Sequence, residues 1–171
     1  NRAKGLLTII RSSRIGVRDL SLRDSLLGGI VLDRSGGHVT GNMIAGVADA
    51  AIFSTDAIGL EITDNTISDA ANNGILVWRS TQGEDGTKVS GNRIEKIGAA
   101  AGGSGQNGNG INVYRAGNVL VTGNRIADCA FTAIRGNAAS NIQMVANNCQ
   151  RLGEVALYAE FGFQGALIAN N

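Results

Sequence analysis

The sequence predicts an all-β solenoid of about seven coils, each made of three short parallel strands. Three observations predict it: a tandem repeat of about 23 residues, apolar residues alternating with period two inside each repeat, and an asparagine that returns in register. Composition agrees. Of 171 residues, 25 are glycine, none is proline and 4% are aromatic. The usual glycine share is roughly 7%, so collagen-like, proline-rich and aromatic-cored chains are excluded.

The second strand of each coil, with the corner that follows it, is marked by an apolar-polar-small-Asn string. It reads Val39-Thr40-Gly41-Asn42, Ile62-Thr63-Asp64-Asn65, Val89-Ser90-Gly91-Asn92, Val121-Thr122-Gly123-Asn124, Met144-Val145-Ala146-Asn147 and Leu167-Ile168-Ala169-Asn170. Val17-Arg18-Asp19-Leu20 is a degenerate first copy. The third strand follows the asparagine and turns Leu22, Ile44, Ile67, Ile94, Ile126 and Cys149 inward. The first strand carries the inward residues Leu7, Ile30, Ile52, Ile75, Ile111, Ile134 and Leu157. No stretch keeps the i, i+3, i+4 spacing of a helix. Strands this short form no sheet alone, but they pair with their equivalents when the chain coils and advances about 4.8 Å per turn. Like then stacks on like, and a narrow aliphatic core needs no aromatics. The ladder Asn42, Asn65, Asn92, Asn124, Asn147, Asn170 is expected to take the left-handed corners and to link side-chain amides from coil to coil.

Two spacings are longer, about 27 residues from Asn65 to Asn92 and about 32 from Asn92 to Asn124. They place loop insertions near residues 79–87, where the chain leaves a first strand, and 98–109, where it enters the next. Residues 1–171 read as one β-solenoid domain, and the start Asn1-Arg2-Ala3-Lys4-Gly5, with neither an initiator Met nor a signal segment, suggests a fragment of a longer solenoid.

On these residues the chain resembles the right-handed parallel β-helix proteins of the pectate-lyase-like superfamily, through an x-[VI]-[TS]-G-N-x-I signature. More narrowly it resembles the uncharacterised twin-arginine-translocated repeat proteins of bacteria. The resemblance implies an extracytoplasmic solenoid, periplasmic or secreted, that binds or acts on polysaccharide. A leucine-rich repeat has a similar period, but its L-x-x-L-x-L frame is missing.

Composition and motifs narrow the function further. Fifteen basic against fourteen acidic residues give a net charge of +1, which leaves no electrostatic footprint for nucleic acid or anionic lipid. No apolar run nears the roughly 20 residues of a membrane span. Neither a metal nor a cofactor is expected. The only histidine, His38, stacks beside Glu61 and Lys88 as an exposed row. Asp24, Asp69 and Asp128 share a row interrupted by Gly46 and Lys96, so they do not converge. Gly102-Gly103-Ser104-Gly105 lacks the Lys and the helix of a phosphate loop.

The first strand's outward face is richer. Its two rows are Val31, Phe53, Leu76, Asn112, Arg135, Tyr158 and Asp33, Thr55, Trp78, Tyr114, Asn137, Glu160, with Arg79 and Arg115 at the adjoining turn. Aromatic rings suit sugar faces, while arginines and amides suit hydroxyls and carboxylates. The expected binding set is Trp78, Arg79, Asn112, Tyr114, Arg115, Arg135, Asn137 and Tyr158, flanked by the two insertions.

Catalysis has weaker candidates, Arg135 with Tyr158 and Arg115 with Tyr114, as base and charge stabiliser. The resemblance implies chemistry on this strand, yet the hydrolase, pectate-lyase and epimerase strings are missing. Asp33 and Glu160 stand five coils apart, roughly 24 Å, too far for a hydrolytic pair. Three functions follow as expectations: a structural or polysaccharide-binding domain, part of a polysaccharide lyase or uronate epimerase, and a scaffold whose ends self-associate. Cys129 and Cys149 fall in different inward rows and are expected as buried free thiols.

Overall fold

The structure is a computed structural model and describes residues 4–103 and 105–171. The first coil comprises β1 (Gly5–Ile10), β2 (Ile15–Arg18) and β3 (Ser21–Ser25); the second β4 (Gly28–Asp33), β5 (Gly37–Thr40) and β6 (Met43–Val47). The third has β7 (Ile52–Thr55), β8 (Leu60–Thr63) and β9 (Thr66–Ala70); the fourth β10 (Asn73–Glu84), β11 (Lys88–Ser90) and β12 (Arg93–Ile97). Then come β13 (Asn109–Gly117), β14 (Leu120–Thr122) and β15 (Arg125–Cys129); β16 (Ile134–Asn137), β17 (Ser140–Val145) and β18 (Asn148–Leu152); and β19 (Leu157–Glu160) with β20 (Gln164–Ala169). No helix occurs among the described residues. In consequence no helix is long and apolar enough to cross a membrane.

Every pairing is parallel and joins a strand to its equivalent one coil away, except that the extended β13 also pairs Gly117 with Ser140 of β17 and so links the first face to the second. The first face runs β1-β4-β7-β10-β13-β16-β19, the second β2-β5-β8-β11-β14-β17-β20, the third β3-β6-β9-β12-β15-β18. Registers align the apolar rows as expected. Ile52 pairs with Ile75 and Ile75 with Ile111; Ile67 pairs with Ile94 and Ile94 with Ile126. Ile30, Ile52, Ile75, Ile111 and Ile134 are wholly buried, whereas Leu7 and Leu157 at the two ends are only partly so.

The asparagines form one hydrogen-bonded column. Asn42 Nδ2 donates to Asn65 Oδ1 at 2.9 Å, Asn65 to Asn92 at 3.0 Å, Asn92 to Asn124 at 2.9 Å and Asn124 to Asn147 at 2.9 Å. Each Nδ2 also reaches a carbonyl of the preceding coil, and each Oδ1 accepts a backbone N–H of that coil. Two expectations are corrected here. The last rung is Asn171, not Asn170: Met144 pairs with Ile168, and Asn147 Nδ2 donates to Asn171 Oδ1 at 2.9 Å. Nor does the asparagine take the left-handed corner. The residue before it does, with φ between 55° and 66° at Asp19, Gly41, Asp64, Gly91, Gly123, Ala146 and Asn170. The division is physical, because a left-handed turn favours glycine or a short polar residue while the buried amide column needs the asparagine one place later.

A second left-handed row explains the scattered aspartates. Asp24, Gly46, Asp69, Lys96, Asp128 and Arg151 share it, all at φ between 53° and 65°. Asp128 pairs with Arg151 at 2.6 Å on the surface. His38 Nδ1 lies 3.3 Å from Glu61 Oε2, and both side chains are about half exposed.

Both cysteines are free, Cys129 buried and Cys149 half-buried rather than fully buried. They occupy the predicted rows, opposite Leu152 and Ile126 respectively. Burial, helped by nearby Cys149 and Asp128, pushes the Cys129 thiol from 9.0 up to about 12, and burial also raises Cys149. A thiol reagent is expected to modify Cys149 slowly and Cys129 only after denaturation. A two-dalton mass gain on reduction would defeat the free-thiol assignment. The raised folded-state value of Cys129 means that it binds its proton more tightly folded than unfolded. Its contribution is therefore complete below about pH 9 and lost as pH climbs toward 12. Thermal midpoints across that window are expected to fall faster in the wild type than in Cys129→Ala.

Candidate functional site

Because side chains alternate along a strand, the outward rows of the first face form one surface. Between coils three and seven this surface is a groove of about 790 Å³, and Trp78, Asn112, Tyr114, Arg135, Asn137 and Tyr158 all line it. Six of the eight expected binding residues thus stand together. A smaller concavity of about 400 Å³ continues it past Phe53 and Trp78 toward Lys4, Asp33, Arg34 and Asp56.

Arg79 and Arg115 do not line the groove. The first insertion continues β10 as a strand instead of a loop, pairing Gly83 with Ala116 and Glu84 with Gly117 across a bulge after Trp78. Arg79 is consequently drawn toward the adjoining corner. Its Nη1 donates to the Ala57 carbonyl at 3.2 Å and lies 3.6 Å from Asp85 Oδ2. Asp85 is buried, which pushes its carboxyl up while Thr87 and Arg79 pull it back. Arg115 sits on a left-handed corner at φ 59°, with its guanidinium 4.9 Å from the Tyr114 ring centre and Nη1 donating to the Ser80 carbonyl at 3.1 Å. Both arginines brace the scaffold.

The aromatic strip is Phe53, Trp78 and Tyr114. Ring centres lie 6.0 Å apart for Phe53–Trp78 and 6.1 Å for Trp78–Tyr114, the latter inclined by only 24°. Because Tyr114 also carries the Arg115 guanidinium, it enters the groove as a positioned ring and not as a free-standing platform. At the far end Tyr158 and Phe161 are 40% and 71% exposed and offer more accessible rings.

The second insertion roofs the polar end. Asn112 Nδ2 donates to the Gln106 carbonyl at 3.0 Å, Asn73 Nδ2 reaches the same carbonyl at 3.2 Å, and Asn109 Nδ2 donates to the Gly105 carbonyl at 2.8 Å. Ser104 of this insertion lies outside the described residues. Beneath it Arg135 is buried and ion-paired with buried Glu160, which also accepts from Asn137 Nδ2 at 3.3 Å. Arg135 and Tyr158 are register partners on adjacent coils, as are Asn137 and Glu160.

Glu154, Phe161, Gln106 and Asn107 also line the groove but were not among the expected site residues. Glu160 was placed in its row without a role. Its pairing with Arg135 crosses from one outward row to the other, which strand alternation alone does not reveal. Glu154 accepts from Thr132 Oγ1 at 3.0 Å. Glu160 is thus held by Arg135, while exposed Glu154 is held only by Thr132. No cluster of three or more histidine, cysteine or carboxylate side chains suited to a metal occurs among the described residues.

Three stacked parallel faces, an internal asparagine column and a groove along one face define a parallel β-solenoid. The family comparison agrees: a model of the right-handed β-helix region matches residues 28–171, and the chain belongs to that family. No curated protein and no solved structure matches it.

Proposed function

We propose that the chain is a polysaccharide-binding β-helix domain that holds a glycan along its first face without transforming it. The groove carries this reading: it collects the only tryptophan, both tyrosines and two asparagine amides on a rigid parallel sheet. Rings supply apolar contact to sugar C–H faces, and amides fix hydroxyls. An extracytoplasmic location belongs to the same proposal and is supported by the resemblance to exported β-helix proteins. Cell fractionation tests it, and recovery solely from cytoplasm would sink it.

Trp78 makes the binding test direct, since its fluorescence reports only this groove. Titration with a panel of oligosaccharides is expected to shift the emission, while reducing ends and unsaturated-uronate absorbance stay flat. Turnover of any substrate would replace this reading with an enzymatic one, and no response across the panel would remove it. Trp78→Ala is expected to weaken binding roughly tenfold, the equivalent of about 1.4 kcal/mol, with affinity electrophoresis as the readout.

A further inference from the structure

We infer that the groove selects uncharged glycans over uronate-containing ones; this rests on the carbohydrate reading above and specifies its substrate class. The argument begins with charge. Along the groove and its continuation, three basic side chains, Lys4, Arg34 and Arg135, face four acidic ones, Asp33, Asp56, Glu154 and Glu160. Arg34 is bound by Asp33 through Nε at 2.9 Å and Nη2 at 3.1 Å, and Arg135 by Glu160. Of the other guanidiniums of this face, Arg79 and Arg115 bond to the Ala57 and Ser80 carbonyls, and Arg11 stands at the corner of the first coil outside the groove and its continuation. A carboxylate ligand therefore meets guanidiniums already engaged and a slightly acidic surround, and each further uronate adds like-charge repulsion.

Hydrogen-bond polarity points the same way. Asn112 is 5% exposed, and the group opposite its amide is the Gln106 carbonyl, which can only accept. Nδ2 must face it, so the orientation of the amide is settled and Oδ1 is left as an acceptor. That Oδ1 is buried and has no hydrogen-bond partner. A buried polar atom without a partner costs free energy that an incoming donor recovers. A sugar hydroxyl is such a donor. A uronate keeps its ring hydroxyls, but where a neutral hexose carries a 6-hydroxyl donor it carries an ionised carboxylate, which is acceptor-only and gives nothing to Asn112 Oδ1 or to the oxygens of Glu154 and Glu160.

The experiment compares neutral gluco-, manno- and xylo-oligosaccharides with oligogalacturonate and alginate oligomers of matched length at low salt, following Trp78 fluorescence. At least one neutral series is expected to bind about tenfold tighter than either uronate series. Glu160→Gln keeps the side-chain shape but frees the charge of Arg135, and is expected to raise oligogalacturonate affinity about tenfold while neutral binding persists. Glu154→Gln, at an exposed position, provides the same test in smaller measure should the Glu160 variant unfold. Preferential uronate binding by the wild type overturns the selectivity and leaves the carbohydrate reading intact. Unchanged uronate affinity in folded variants of both glutamates also overturns it. Failure of every oligosaccharide to bind removes both.

Discussion

Asn92→Asp is expected to destabilise the solenoid more than any exposed substitution, and Asn92→Ala to follow close behind. Asn92 Oδ1 accepts from Asn65 N and Asn65 Nδ2, both at 3.0 Å, while its Nδ2 donates to the Ile62 carbonyl and to Asn124 Oδ1, both at 2.9 Å. Alanine removes these four bonds and a fifth, from Nδ2 to the Ser90 carbonyl at 3.2 Å, and leaves at least two buried groups short of a partner. At about 1 to 3 kcal/mol per unsatisfied group, the loss is about 3 kcal/mol or more. Aspartate keeps the acceptor but puts an oxygen against two other acceptors, with a charge inside the column. Protonation relieves part of this, so the folded form of the variant raises its carboxyl pKa. Its stability is accordingly highest in acid and falls as pH rises above about 4. Urea denaturation of both variants and of exposed Thr66→Ala at pH 5 and pH 7 is the measurement. A domain holding only about 5 to 15 kcal/mol in total would show the difference plainly. Equal midpoints for Asn92→Ala and Thr66→Ala would refute a structural role for the column.

The inward rows were legible in the sequence because period two and a fixed repeat determine which side chain lies above which. Register was lost only at the Asn170-Asn171 pair, where two alignments each keep an asparagine in place; matching Met144 with Ile168 resolves them. Assigning the left-handed corner to the asparagine also erred by one residue, although Gly41, Gly91 and Gly123 stood at the true position. The groove was legible as two rows of outward residues. The direction of its arginines was not. Where the chain continues as strand after Trp78, Arg79 keeps no left-handed corner, whereas Arg34, Asp56 and Arg115 at the same place in other coils do. Composition of the insertion did not distinguish a loop from a bulged strand, since β10 and β13 extend only because each supplies the other with a partner.

The second large effect is expected where the backbone of the first face meets the isoleucines of the third. Gly29, Ala51, Gly74, Gly110 and Ala133 form one row just before the inward isoleucines of β4, β7, β10, β13 and β16. A methyl on Gly74 would stand 2.7 Å from Ile94 Cγ2 and 2.5 Å from the Gly110 carbonyl oxygen, well inside van der Waals contact. Gly74→Ala therefore overpacks the core, at a cost of about 1 to 3 kcal/mol. Ile94→Ala acts in the opposite sense: a side chain 1% exposed is truncated and a cavity remains, at about 2 to 5 kcal/mol. The two changes should not add. Removing Ile94 Cγ2 makes room for the new methyl, and the methyl partly fills the cavity, so the double variant is expected to be about 1 kcal/mol more stable than the sum of the singles. The Gly110 carbonyl still opposes the methyl, which is why relief stays partial. Chemical denaturation of the three variants closes the cycle, and additivity within about 0.5 kcal/mol would show that the methyl on Gly74 does not press on Ile94.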